Sequence, residues 1–271
     1  MASRLPLSLA ALRRLMLQVS ASGAGDHVLA VGGASDLAPV LRQQFLRGGA
    51  DPAAVRLGDP EGSDVYVHVF AGEPTEEDVV LLRRARRARV PVIAVVAGST
   101  RNAAIPYVLA TDIVTAGESF PLETIARTIA ARLGERGAPL AGRVPLLRKA
   151  VCEQLVESFA RRNGLLAAAV WARGRDLPIL TLNEIRLVLR LAQAYGTESG
   201  RERLPELVAT LGAGFGLRAL AREALERVPV AAWAVKSAIG YCGTLALGRA
   251  ARRRFELVPR LRPGGAARGA P

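Results

Sequence analysis

The sequence predicts a doubly wound, mostly parallel α/β sheet followed by an all-α region, and three patterns carry that expectation. Between residues 26 and 135, short aliphatic runs alternate with helical stripes, the repetition that builds a parallel sheet with crossover helices. The run Asp64 to Phe70, DVYVHVF, places Val65, Val67 and Val69 on one face and Tyr66, His68 and Phe70 on the other, as an interior strand covered on both sides requires. After residue 145 the strand patterns stop, and apolar residues recur only at helical steps.

In chain order, Leu5, Leu9, Leu12, Met16 and Val19 predict an amphipathic helix within residues 1–25, docked on the domain that follows. Arg13 and Arg14 interrupt its apolar run too early for an export signal. His27 to Val31 reads as a short strand and Gly32 to Asp36 as a turn. Leu37, Leu41 and Phe45 then form a helical stripe stopped at Gly48-Gly49. A weak strand, Ala53 to Leu57, precedes DVYVHVF. Thr75 and Asp78 make a capping box for a helix through Ala88, whose arginine-rich end suits the negative pole of its dipole. Strands at Pro91 to Val96 and Ile105 to Val114, and a helix carrying Leu122, Ile125, Ile129 and Leu133, complete the domain at 26–135.

Residues 136–145 read as a linker from their Gly and Pro content. The helical domain is expected over 146–256. Its first helix carries Leu147, Val151, Leu155 and Phe159 and is stopped by Asn163-Gly164. A second, with Thr181 and Glu184 as capping box, carries Ile185, Val188, Leu189, Ala192 and Tyr195. Leu204 to Leu211 and Leu217 to Leu225 flank the break GAGFG, and Val228 to Arg254 is a long apolar helix. Residues 257–271, rich in Pro and Gly, are expected to be disordered.

The net charge of +13 would ordinarily raise nucleic acid or anionic lipid as partners. Lys149 and Lys236 are the only lysines, however, and arginine amid abundant Ala, Gly and Pro is a bias that GC-rich codons produce without a ligand. Aromatics are 4% of the chain, which leaves few stacking platforms, so nucleic acid is not an expected partner. Cys152 and Cys242 lie far apart in helical patterns and indicate neither a disulfide nor a metal site; a reducing cytoplasm fits.

The turn after the first strand is where an α/β sheet would seat a nucleotide phosphate. Here it is Gly32-Gly33-Ala34-Ser35-Asp36, too short for GxxxxGK[ST] and without its lysine; Asp36 puts a carboxylate where phosphate would go. Ser35 or Asp36 is expected instead as a helix N-cap. Ser35, with Gly33 two residues earlier, also matches part of a nucleophile elbow, but Leu37 replaces the second glycine. No motif brings His27 or His68 to it, and His68 is expected to be buried and hydrogen-bonded. No cofactor is expected.

In Val228 to Arg254, Lys236, Gly240, Thr244 and Gly248 recur every four residues and leave one face almost free of bulk, an expected packing or interaction face. Trp233, Ile239, Leu245 and Leu247 fill the remainder. About 20 residues give roughly 30 Å, enough to cross a bilayer. Yet Lys236 near the middle costs about 2.5 to 3.5 kcal/mol on insertion. Arg218, Arg222 and Arg227 on one flank and Arg249, Arg252, Arg253 and Arg254 on the other call for the same side. A buried helix, or a shallow hairpin with Leu204 to Leu220, is expected rather than a lone span.

Two family resemblances rest on these residues. Ser63 to Val96 resembles the stretch between the DxxG and NKxD motifs of Ras-like, Era-type GTPases, and Asp59-Pro60-Glu61-Gly62 spells DxxG; Ala97-Gly98-Ser99-Thr100 stands where NKxD should. Residues 144–256 resemble domain of unknown function 697, the YcjF-type helical domain found beside such GTPases. The matching residues are Asp176-Leu177-Pro178, Leu180-Thr181, Tyr195-Gly196, Val228-Pro229, GYCGTLALG and Phe255. Together they imply a P-loop GTPase-like fold without its nucleotide motifs, fused to a helical domain that associates with a protein partner, another copy of itself or the inner face of the cell membrane. The alternatives are a nucleotide-binding enzyme with an unorthodox phosphate site and a soluble scaffold.

Overall fold

The computed structural model describes residues 9–98, 105–169, 177–196 and 232–257. Strands β1 (Leu29–Gly33), β2 (Val55–Leu57), β3 (Val65–Phe70), β4 (Val92–Ala97) and β5 (Ile113–Ala116) form one all-parallel sheet in the order β2-β1-β3-β4-β5. This is a doubly wound order with its switch point between β1 and β3. β3 lies at the centre with all six residues buried, Val67 pairing with Val31 on one side and Ile93 on the other.

Helices cover both faces. On one, Ala38, Leu41 and Phe45 of α2 (Leu37–Arg47) and Ile125 and Ile129 of α4 (Leu122–Leu133) pack with Leu29, Val31, Val65, Val67 and Val69. On the other, Leu82 and Ala85 of α3 (Glu76–Arg87) join Ala30, Tyr66, Phe70, Ala94 and Val96. The capping box of α3 is formed in full: Thr75 Oγ1 accepts from Asp78 N, and the Asp78 side chain accepts from Thr75 N. The strand bounds differ from expectation most at β1 and β5. β1 runs on through Gly32 and Gly33, and β5 begins only at Ile113; Ile105 is instead a buried residue of the α3 side.

Among the described residues the helical region contains α5 (Gly137–Arg143), α6 (Pro145–Ala169), α7 (Leu177–Ala194) and α8 (Ala232–Leu257). Its start corrects the linker expected at 136–145: that stretch is mostly α5, with Ala138, Pro139, Leu140 and Ala141 buried. Proline is tolerated in a first turn, where its missing N–H has no partner to lose. Gly142 is small because a Cβ there would lie 2.6 Å from Gln193 O. Arg143 donates from Nε and Nη2 to Asp51 Oδ2 at 3.0 and 2.7 Å and from Nη1 to the His27 carbonyl at 3.1 Å. It thereby ties α5 to the sheet side and holds the Asp51 carboxyl below its ordinary range. One apolar core runs from β1 and β3 through Leu140, Leu147, Val151, Leu155 and Phe159 to Leu187 and Leu191, so no solvated seam separates the two parts.

Three further expectations are corrected by packing. α6 continues through Asn163-Gly164, because both face α8: a Cβ on Gly164 would lie 3.2 Å from Tyr241 Cβ, and Asn163 Nδ2 donates to Thr244 Oγ1 at 3.0 Å. α7 already includes Leu177, with Pro178 in its first turn, so Thr181 lies inside the helix and Glu184 is a buried residue rather than a cap. The N-terminal helix α1 (Leu9–Gly23) lays its described apolar residues on α7 and not on the sheet. Its Leu15 and Val19 pack on Ile185 and Leu189 of α7, and Gln193 Nε2 donates to Val19 O at 2.6 Å. Leu15 was absent from the expected stripe; Leu5, the side chains of Leu9 and Leu12, the segments at 197–231 and the tail lie outside the described residues. Among the described residues no helix is long and apolar enough to cross a membrane.

Candidate functional site

The switch point lies where β1 and β3 end, and its geometry starts from two glycines. A Cβ on Gly32 would fall 2.2 Å from the Tyr66 hydroxyl and 3.0 Å from Gly58 O. Gly33 has φ +99°, and a Cβ there would meet Val69 O at 2.1 Å and Val69 N at 2.8 Å. The end of β1 is therefore sealed onto β3 by backbone contact. Only Ala34, Ser35 and Asp36 separate β1 from α2, and the Ala34 N–H, an amide that a phosphate would use, donates to Val69 O at 2.8 Å. Asp36 occupies the N-cap position without a side-chain cap bond; the Ala34 carbonyl takes the first helical N–H groups. Ser35 and Asp36 are exposed.

Behind this turn lies a polar chain. The Tyr66 hydroxyl donates to His68 Nδ1 at 2.9 Å, and His68 Nε2–H donates to Asp78 Oδ1 at 2.7 Å, a tautomer assigned from its partners. Burial raises the Tyr66 phenol and lowers the His68 imidazolium, so both groups are held neutral. Burial alone would raise Asp78, but hydrogen bonds from Thr75 and His68 outweigh it and keep the carboxyl below its usual range. Both His68 nitrogens are thus committed, and neither serves Ser35. His27 places Nδ1 3.0 Å from Asp64 Oδ2 and Nε2 3.0 Å from Ser22 O, beside the opposite, amino end of β3. Neither histidine is therefore placed to serve the partial nucleophile elbow. Burial pushes the Cys152 thiol up to about 12, which makes it a packing group.

Asp59 of the DxxG-like segment lies 3.5 Å from Arg84 of α3, while the Asp59 and Glu61 carbonyls accept from Arg56. Gly62 has φ +71°, and Ser63 Oγ donates to Pro60 O at 2.6 Å, so the segment is a closed turn. Ser99 and Thr100, where the GTPase resemblance would expect NKxD, lie outside the described residues.

The small-residue face of α8 lies on α6. A Cβ on Gly240 would sit 2.9 Å from Asn163 O, and one on Gly248 2.6 Å from Val156 Cγ2. Thr244, fully buried between them, accepts from Asn163 Nδ2 and gives its proton to Gly240 O at 2.8 Å; Asn183 Nδ2 donates in turn to Asn163 Oδ1 at 2.9 Å. The Lys236 and Trp233 side chains lie outside the described residues.

A second constellation went unread in the sequence. Glu135, just after α4, is ringed by Arg162 of α6 and by Arg186 and Arg190 of α7. No motif joins these positions; only the crossing of the helices does. Among the described residues no group of His, Cys, Asp and Glu is placed to hold a metal ion. Compared with protein-family models, curated proteins and solved structures, the chain gives no match.

Proposed function

We propose that this is a non-catalytic, pseudo-GTPase-like protein, in which the α/β part is a rigid platform for a helical region that associates with a protein partner or an anionic membrane surface. The observation that carries the reading is the seal at the end of β1. A phosphate-binding loop must open a ring of free amides between first strand and first helix. Here three residues span that gap, Gly33 abuts Val69 and the Ala34 amide is already bonded. The continuous core supports a platform role, since the sheet and helices α5 and α6 share buried residues instead of meeting at a hinge. At the end of α8, Arg249 and Arg253 are exposed and Leu257 is 82% exposed, a composition suited to an anionic surface.

The test is thermal unfolding of the full chain with GTP or ATP and magnesium. A ligand at a hundred times its Kd adds about 2.7 kcal/mol, so no shift at millimolar nucleotide is the expected outcome. A saturable rise in Tm would favour the nucleotide-binding alternative and overturn this one. Sedimentation with anionic vesicles separates surface association from a purely protein partner.

A further inference from the structure

Glu135 is the one carboxylate that Arg162, Arg186 and Arg190 pair with among the described residues. Arg162 Nη1 donates to Glu135 Oε1 at 3.1 Å, Arg186 Nε lies 2.8 Å from Oε2, and Arg190 Nε 3.8 Å from the same oxygen. Three guanidinium groups around one carboxylate leave a local excess of two positive charges. Arginine does not shed its proton in a protein, so only a further anion can balance that excess.

The hydrogen bonding is incomplete in the same place. Arg190 is 6% exposed, yet its Nε has no hydrogen-bond partner. Arg186 Nε, though near Glu135 Oε2, is out of line for a hydrogen bond, and Oε2 accepts none. A buried donor left in this state is costly, and a buried charge more so. Burial pushes the Arg190 guanidinium below its ordinary value; Glu135 pulls it back and Arg186 adds to the lowering, and the net fall is the direction expected of an under-compensated cation. The cluster is also pre-set and accessible. Arg190 Nη1 donates to Ser22 Oγ and to Gln193 Oε1 at 2.9 Å, which fixes the guanidinium from behind, while the Arg162 and Arg186 side chains are 47% and 37% exposed and form an open rim.

We propose that Arg162, Arg186 and Arg190 form a binding site for a phosphate dianion, either inorganic phosphate or the phosphomonoester headgroup of a lipid, with Glu135 as the internal carboxylate that orders the arginines and competes with the ligand. A phosphate carries about −1.5 to −2 charge near neutral pH, which matches the excess, and guanidinium forks bind its oxygens in pairs. The cluster lies on the helical side and not at the end of β1, so a nucleotide-dependent rise in Tm that vanishes in the Arg162→Gln, Arg186→Gln variant belongs to this site, and one that persists there belongs to the end of β1.

The experiment is thermal unfolding of the full chain in sodium phosphate against sodium chloride at matched ionic strength. The expected result is a saturable rise in Tm with phosphate. Arg162→Gln with Arg186→Gln, both at the rim, should weaken the apparent affinity about tenfold or more. Glu135→Gln should lower Tm without phosphate but tighten phosphate binding, because the competing carboxylate is gone. A purely structural hub predicts the lower Tm and no tighter binding, so an unchanged or weaker affinity in that variant overturns the proposal. Phosphate also stabilises proteins by exclusion from their surface. An equal, unsaturating rise in the parent and the double arginine variant would overturn the proposal too, and that comparison stands even if Glu135→Gln does not fold. Vesicles of phosphatidylcholine with and without phosphatidic acid separate the sources. Binding that needs phosphatidic acid, is competed by free phosphate and is lost in the double variant identifies the lipid; a phosphate-dependent Tm without vesicle binding identifies the soluble ion.

Discussion

At the end of β1 the chain meets β3 backbone to backbone, whereas along α8 it meets α6 partly through side chains, and the two contacts place different demands on their glycines. Gly33 has a left-handed φ of +99° and faces the Val69 carbonyl, which the sheet and the Ala34 amide hold in place. Gly248 faces the methyl groups of Val156, which can be turned or shortened. Gly240 lies between these cases, with a backbone oxygen of Asn163 at 2.9 Å and Ala167 Cβ at 3.0 Å. What a glycine faces sets how far it can be replaced; that it lies on a small-residue stripe does not.

The sharpest way to break the comparison is Gly33→Ala, which adds both a collision and an unfavourable φ. A loss of about 4 kcal/mol or more is expected in urea unfolding. A change under about 1 kcal/mol would mean that the switch point can open after all. Gly240→Leu should cost about 3 kcal/mol and Gly248→Leu less, since overpacking is relieved where the obstacle can move. A cycle between Gly248→Ala and Val156→Ala should show coupling of about 1 kcal/mol, with the second change rescuing the first; strict additivity would place Val156 outside the contact.

A smaller effect concerns His68, which pairs in register with Gly32. Its native imidazolium is lowered by burial, so the unfolded chain takes up a proton near pH 6.5 while the folded one resists. The contribution is therefore fully present above about pH 6.5 and declines as pH falls toward the lowered native value. Urea midpoints at pH 7.5 and 5.5 should differ more for the parent than for His68→Gln, by on the order of 1 kcal/mol. The smallest expected change is a gain: Arg89 has φ +58° in the turn after α3, and Arg89→Gly should stabilise by about 0.5 to 1 kcal/mol in the same assay.

Elements whose signals are local were legible. The α3 capping box, the buried alternation of β3 and the α2 stripe closed by Gly48 stand as the residues predicted. Two of the failures share one physical cause. Gly142 and Gly164 were taken for chain breaks, but both are small because another element presses on them, α7 in one case and α8 in the other. A glycine that serves a turn and one that serves a close crossing look alike until the partner is known. Gly32 and Gly33, read from the sequence as a phosphate-loop position without its motif, are small because they meet Tyr66 and Val69. The Glu135 cluster was illegible for a related reason: its arginines are three among many, and nothing in their spacing marks the residues that converge.

The placement of α1 has a consequence for how the chain is made. The helix is synthesised before the sheet but rests on α7, and Ser22 and its partner Arg190 are 168 residues apart. At roughly 5 to 20 residues per second, about 10 to 30 s of synthesis separate the two. By the last part of that interval the strands through β5 have been made, while Leu15 and Val19 still lack Ile185 and Leu189 to pack on. The nascent chain therefore carries an amphipathic helix whose Leu15 and Val19 stay uncovered until Ile185 and Leu189 arrive.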